Sequence, residues 1–97
     1  MAQVVYSQTI LAGHRMILAE KPKISTRIFL SIRVLVDDTI WAMSKISFGD
    51  PYFYSYYTLD GPAKYFEAKG EGIFQGDIWV RNASNQNLIY TVSEILV

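Results

Sequence analysis

The 97-residue chain contains no cysteine and a single histidine, His14. Disulfides, thiolate chemistry and every cysteine-based zinc site are thereby excluded. Small secreted domains usually lean on disulfides, so their absence favours an intracellular or virion-like setting. Net charge is missing as well, because nine basic residues balance nine acidic ones. A neutral domain has no basic footprint to draw it to nucleic acid, and apart from Lys21 and Lys23 the basic residues are scattered, so no nucleic-acid partner is expected. No apolar run approaches the roughly 20 residues of a membrane helix, so no transmembrane segment is expected. The opening Met-Ala-Gln leads into no charged stretch followed by an apolar one, and no secretion signal is expected.

Helical periodicity is equally scarce. Only residues 12–21 can be read as a short amphipathic turn, and Met16, Ile17 and Leu18 sit together there without a 3.6-residue repeat. Valine, isoleucine, threonine and aromatic residues dominate instead, and these suit a pleated, half-buried surface. The clearest alternation runs from Ile24 to Val36. It places Ile24, Thr26, Ile28, Leu30, Ile32, Val34 and Val36 on one face, with Arg27, Phe29, Arg33 and Leu35 on the other, both arginines toward water. Asp37-Asp38 then reads as a turn and residues 39–48 as a returning strand, which makes 24–48 a hairpin. Further strands are expected at 3–11, 14–19, 52–59, 73–81 and 88–97, with 63–69 short and ambiguous. Gly49-Asp50-Pro51, Asp60-Gly61-Pro62, Gly70-Glu71-Gly72 and the polar 82–87 stretch punctuate them. Gly76, inside the 73–81 segment, suggests a bulge or a close backbone approach. Turn signals recurring every ten or so residues predict one all-β domain over 1–97, an antiparallel sandwich or flattened barrel of seven or eight strands.

Catalytic chemistry finds few carriers. His14 lies in the expected connection between the first two strands, and no other imidazole or thiolate could join it around a metal. No nucleophile-elbow motif surrounds any serine. Asp37, Asp38 and Asp50 lack the pattern of a calcium loop and read as solvated turn residues. Gly70, Gly72 and Gly76 have the wrong spacing for a phosphate loop, so neither metal nor cofactor is expected. Asn82-Ala83-Ser84 fits the glycosylation acceptor pattern, which matters only in a secreted protein.

Aromatic residues are what the chain does have. Residues 52–57 read Tyr-Phe-Tyr-Ser-Tyr-Tyr. On a strand, Tyr52, Tyr54 and Tyr56 share one face and Phe53, Tyr57 and Leu59 the other. Trp41 and Trp79 fall opposite aliphatic faces; if those faces are core, both point outward and form an apolar patch with Phe29 and Leu35, whereas a one-residue slip turns them inward. Cross-strand aromatic packing explains such a row without any ligand. Tyrosine and tryptophan are also enriched where proteins meet. The sequence therefore points to a non-enzymatic binding or assembly protein acting through an aromatic-rich sheet surface, with Tyr52, Tyr54, Tyr56, Trp41 and Trp79 as contact residues and another copy of itself among its partners. Two other readings remain open: a carbohydrate-binding module using 52–57, and a small enzyme using His14 or a carboxylate.

Overall fold

The structure is a computed structural model that describes residues 2–35, 43–60 and 65–97. Its regular elements are all strands: β1 (Ala2–Ile10), β2 (Arg15–Ala19), β3 (Arg27–Leu35), β4 (Met43–Phe48), β5 (Tyr57–Asp60), β6 (Tyr65–Lys69), β7 (Ile78–Asn82) and β8 (Leu88–Leu96). They form two four-stranded antiparallel sheets, ordered β1-β8-β3-β6 and β2-β7-β4-β5. Each strand of the first half pairs with its mirror in the second: β1 with β8, β2 with β7, β3 with β6 and β4 with β5. That is one long hairpin rolled into two layers, the jelly-roll arrangement. No helix among the described residues is long and apolar enough to cross a membrane.

The hairpin expected over 24–48 does not form. β3 and β4 lie in different sheets, and the expected turn at Asp37-Asp38 lies outside the described residues. Local alternation shows that a strand exists, but it does not choose the strand's neighbour. The 12–21 stretch, readable as a helical turn, contains β2 (Arg15–Ala19), matching the strand expected at 14–19. The ambiguous 63–69 stretch provides β6, and the C-terminal strand β8 lies between β1 and β3. Central placement buries Leu88, Tyr90, Val92 and Glu94 and leaves no free edge on this apolar strand.

Between the sheets lie Ile10, Leu18, Leu30, Ile32, Val34, Ile46, Leu59, Ile78, Val80, Tyr90 and Val92. These are the inward positions of alternating strands, as expected for a sandwich core. Phe48 meets Tyr57, Phe66 and Phe74 at centroid distances of 5.5, 5.5 and 5.6 Å, closing the β5–β6 side with aromatic contacts. The Phe74 ring lies so close to Gly76 that a Cβ there would fall 2.5 Å from it. The close approach expected at Gly76 is therefore present, in the loop before β7 rather than inside a strand.

Two buried polar groups depart from the sequence reading. Arg27, expected in water, is 0% exposed, whereas Ile24, expected in the core, is 100% exposed. Ile24 lies in a bend before β3, and an irregularity in the β3–β8 ladder between Arg27 and Phe29 moves Arg27 to the core face of Leu30, Ile32 and Val34. Its Nε donates to Glu94 Oε2 at 3.2 Å, and its remaining nitrogens reach the carbonyls of Phe74, Gly76 and Glu20 at 2.8–3.0 Å. The second group is Asn82, which ends β7 with its side chain fully buried. Its Nδ2 donates to the carbonyls of Ile10 and Gln86, and its Oδ1 accepts from Ser84. A glycan on Asn82 would require this network to open, so the folded chain does not offer the acceptor site.

Tyr90 is buried beside Ser44, with 2.6 Å between the two hydroxyls. Burial pushes its phenol up to about 12, partly offset by the Ser44 hydrogen bond. Tyr6 is also raised, first by burial and then by the negative charge of Glu94. A folded-state value above the unfolded one (about 10 for tyrosine) gives stability that is complete below pH 10 and is lost as pH climbs through the folded value. Urea midpoints should therefore hold steady to about pH 10 and fall steeply above it. Tyr90→Phe should flatten part of that fall while lowering stability at neutral pH by about 1–3 kcal/mol, since the Ser44 hydroxyl is left without its partner.

Candidate binding surface

On β4, Ser44, Ile46 and Phe48 face the core, so Met43, Lys45 and Ser47 face outward. On β7, Ile78 and Val80 are buried and Trp79 and Arg81 lie on the opposite face. Arg15 pairs with Arg81, and Arg81 with Lys45, so three cations stand side by side across the outer face of the second sheet. Strand spacing places them about 5 Å apart in backbone terms. The next row is Ile17, Trp79 and Ser47.

The segment read as a tyrosine strand is not one. Residues 49–56 form a loop, and β5 begins only at Tyr57. Tyr52, Tyr54 and Tyr56 therefore do not share a strand face. The loop has its own scaffold. Gly49 turns the chain with φ +75°, and the Asp50 carboxylate accepts from the backbone N–H groups of Tyr52 and Tyr54 at 2.9 and 2.8 Å. Phe53 adopts φ 56°, a left-handed conformation that bulky residues rarely take, and is buried outside the main core cluster. Such a conformation persists only when its surroundings enforce it. Burying Phe53 leaves its neighbours Tyr52 and Tyr54 facing solvent, at 67% and 87% exposure.

This loop lies across the cationic face. The Arg15 guanidinium is 5.8 Å from the centroid of the Tyr52 ring, and the Lys45 ammonium is 4.5 Å from that of Tyr56. Both are cation–π distances. Tyr52 and Tyr54 are 6.0 Å apart, ring to ring. Ser47 faces away from the core yet is fully buried, and its hydroxyl has no partner among the described residues. Trp79, across the sheet from Ser47, is half-buried on the same face.

Of the five residues singled out in the sequence, the structure brings Tyr52, Tyr54, Tyr56 and Trp79 to one side of the sandwich. Trp41 lies outside the described residues. Phe29 and Leu35 belong to the outer face of the other sheet, so they cannot form one patch with Trp79. Sequence reading missed Arg15, Arg81 and Lys45, because the register that aligns them joins residues far apart in the chain. It placed Phe53 on the face opposite those tyrosines, and Phe53 is buried there, but in a left-handed loop conformation rather than on a strand.

His14 stands exposed in the β1–β2 turn. Asp37 and Asp38 lie outside the described residues, and Asp50 is engaged with the tyrosine loop. No group of three His, Cys, Asp or Glu among the described residues could hold a metal ion. Comparison with known proteins found no matching family, no matching curated protein and no matching solved structure. The jelly-roll arrangement serves many unrelated functions, so the functional argument rests on the surface itself.

Proposed function

We propose that this is a non-enzymatic binding and assembly protein whose working surface is the tyrosine loop backed by the Arg15–Arg81–Lys45 row. One observation carries the reading: Tyr52 and Tyr54 are held in solvent by a loop that is pinned by Phe53 and Asp50. A pinned loop loses little entropy when it binds, and tyrosine, tryptophan and arginine dominate the contacts that hold protein interfaces together. Like charges directly opposite one another weaken a sheet, and a surface bearing carboxylates relieves that repulsion. Arginine forks also match carboxylates in bidentate geometry. The surface therefore suits a protein partner that presents acidic side chains. The same row opposes face-to-face contact with its own copy, so self-association uses another part of the molecule.

A carbohydrate ligand is the second reading, favoured by the exposed Tyr52–Tyr54 ring pair. Peptide and glycan arrays separate the two. Acidic peptides should bind in a salt-sensitive manner, and Arg81→Glu should weaken them at least tenfold with the fold intact. Binding confined to neutral sugars and indifferent to Arg81→Glu would transfer the surface to the carbohydrate reading. No binding on either array contradicts both.

A further inference from the structure

Among the described residues four strands end the two sheets: β1 and β6 in one, β2 and β5 in the other. Three carry the devices that keep edges from pairing. β2 has five residues, begins with Arg15 and shifts register between Ile17 and Ala19. β5 has four residues, and β6 has five, with Glu67 and Lys69 among them. Short length, charge and bulges are the ordinary protections of an edge. β1 has none of them. It runs nine residues as Ala-Gln-Val-Val-Tyr-Ser-Gln-Thr-Ile, without charge, proline or glycine, and pairs with β8 in unbroken register from Ala2 to Ile10. Val5, on its outer face, is 61% exposed. Its inward residues Val4, Tyr6 and Gln8 line a groove of about 540 Å³ that opens between the sheets toward β2.

We infer that β1 is a self-pairing edge: two copies join β1 to β1, antiparallel about a two-fold axis, into one continuous eight-stranded sheet. This specifies the contact behind the assembly reading above and is independent of the tyrosine face. A second copy is the occupant because the strand is compatible with itself. It carries no charge to repel its like, and an antiparallel self-pair closes under two-fold symmetry. The in–out alternation survives only in registers that set odd residues opposite odd ones. Centring the axis on Val5 places Val5 against Val5 and Val4 against Tyr6, which covers the exposed valines. With the other three edges protected, association stops at two. A strand about 30 Å long buries less than a standard interface of about 1,600 Å², so the dimer dissociates on dilution.

Because the chain has no cysteine, one introduced thiol reports the contact unambiguously. Directly opposed residues of an antiparallel pair lie within disulfide reach. Under mild oxidation Val5→Cys should form a covalent dimer at least tenfold faster than Thr9→Cys, a control on the same face of the same strand that lacks a two-fold mate. Light scattering over a concentration series should show the wild type rising from monomer to dimer. Val5→Lys should stay monomeric with an unchanged melting temperature. A wild type monomeric at every concentration, or equal cross-linking at positions 5 and 9, overturns the inference. If Val5→Lys does not fold, the cysteine pair alone decides. Either failure leaves the tyrosine surface to be judged by its own array binding.

Discussion

Replacing Arg27 with alanine should lower stability by about 3–5 kcal/mol, the cost of leaving a buried charge without its partner. A small domain has about 5–15 kcal/mol in total, so the variant should be largely unfolded at modest urea concentrations. The expectation follows from geometry. Arg27 and Glu94 are 0% and 7% exposed in their side chains. The guanidinium also fastens the carbonyls of Phe74, Gly76 and Glu20, which belong to loops flanking β7 and β2. Gln75 completes the clamp by exchanging side-chain hydrogen bonds with the Arg27 backbone at 2.7 and 2.6 Å. Removing the side chain strips Glu94 of its cation and those carbonyls of their donor. Arg27→Lys separates charge from shape. One ammonium cannot reach acceptors spread over such a fork, so the lysine variant should recover less than half of the loss. Full recovery by lysine in urea melts would mean that charge alone matters there.

The second large effect is expected in binding. Changing Tyr52, Tyr54 and Tyr56 together to alanine should reduce affinity for an acidic peptide selected on the array by a hundredfold or more, since central tyrosines often contribute 2 kcal/mol or more each. Stability should change by no more than about 1 kcal/mol, because exposed side chains away from caps and cores seldom matter more. Phe53→Ala is the informative contrast. It removes the buried anchor and the reason for a left-handed residue at that position, so it should lower stability and binding together. A triple variant that melts as early as Phe53→Ala would assign the tyrosines to structure.

Alternation and turn residues made most strands readable. Leu30, Ile32 and Val34 point inward as their spacing requires, and so do Ile78 and Val80. Two kinds of information were not local. One was the ladder irregularity at Arg27, which turns that side chain to the core face with no glycine or proline to announce it. The other was partner choice among strands, because a rolled hairpin pairs β3 with β6 and β8 rather than with β4. The tyrosine segment misled for a different reason. Its residue types favour strands, but Asp50 captures the N–H groups of Tyr52 and Tyr54, and aspartate competes in this way whatever its neighbours prefer. The aromatic surface itself was legible, whereas its cationic backing appears only once the register is known.

The most direct measurement is the nitration of individual tyrosines, read by mass spectrometry, in the free protein and with the selected acidic peptide at saturation. In the free protein Tyr52 and Tyr54 should react fastest, and buried Tyr90 should not react. With peptide bound, Tyr52, Tyr54 and Tyr56 should be protected while Tyr65, on the other sheet, reacts as before. Protection spread evenly over all exposed tyrosines, or none at 52, 54 and 56, would contradict the assignment of this loop as the binding surface.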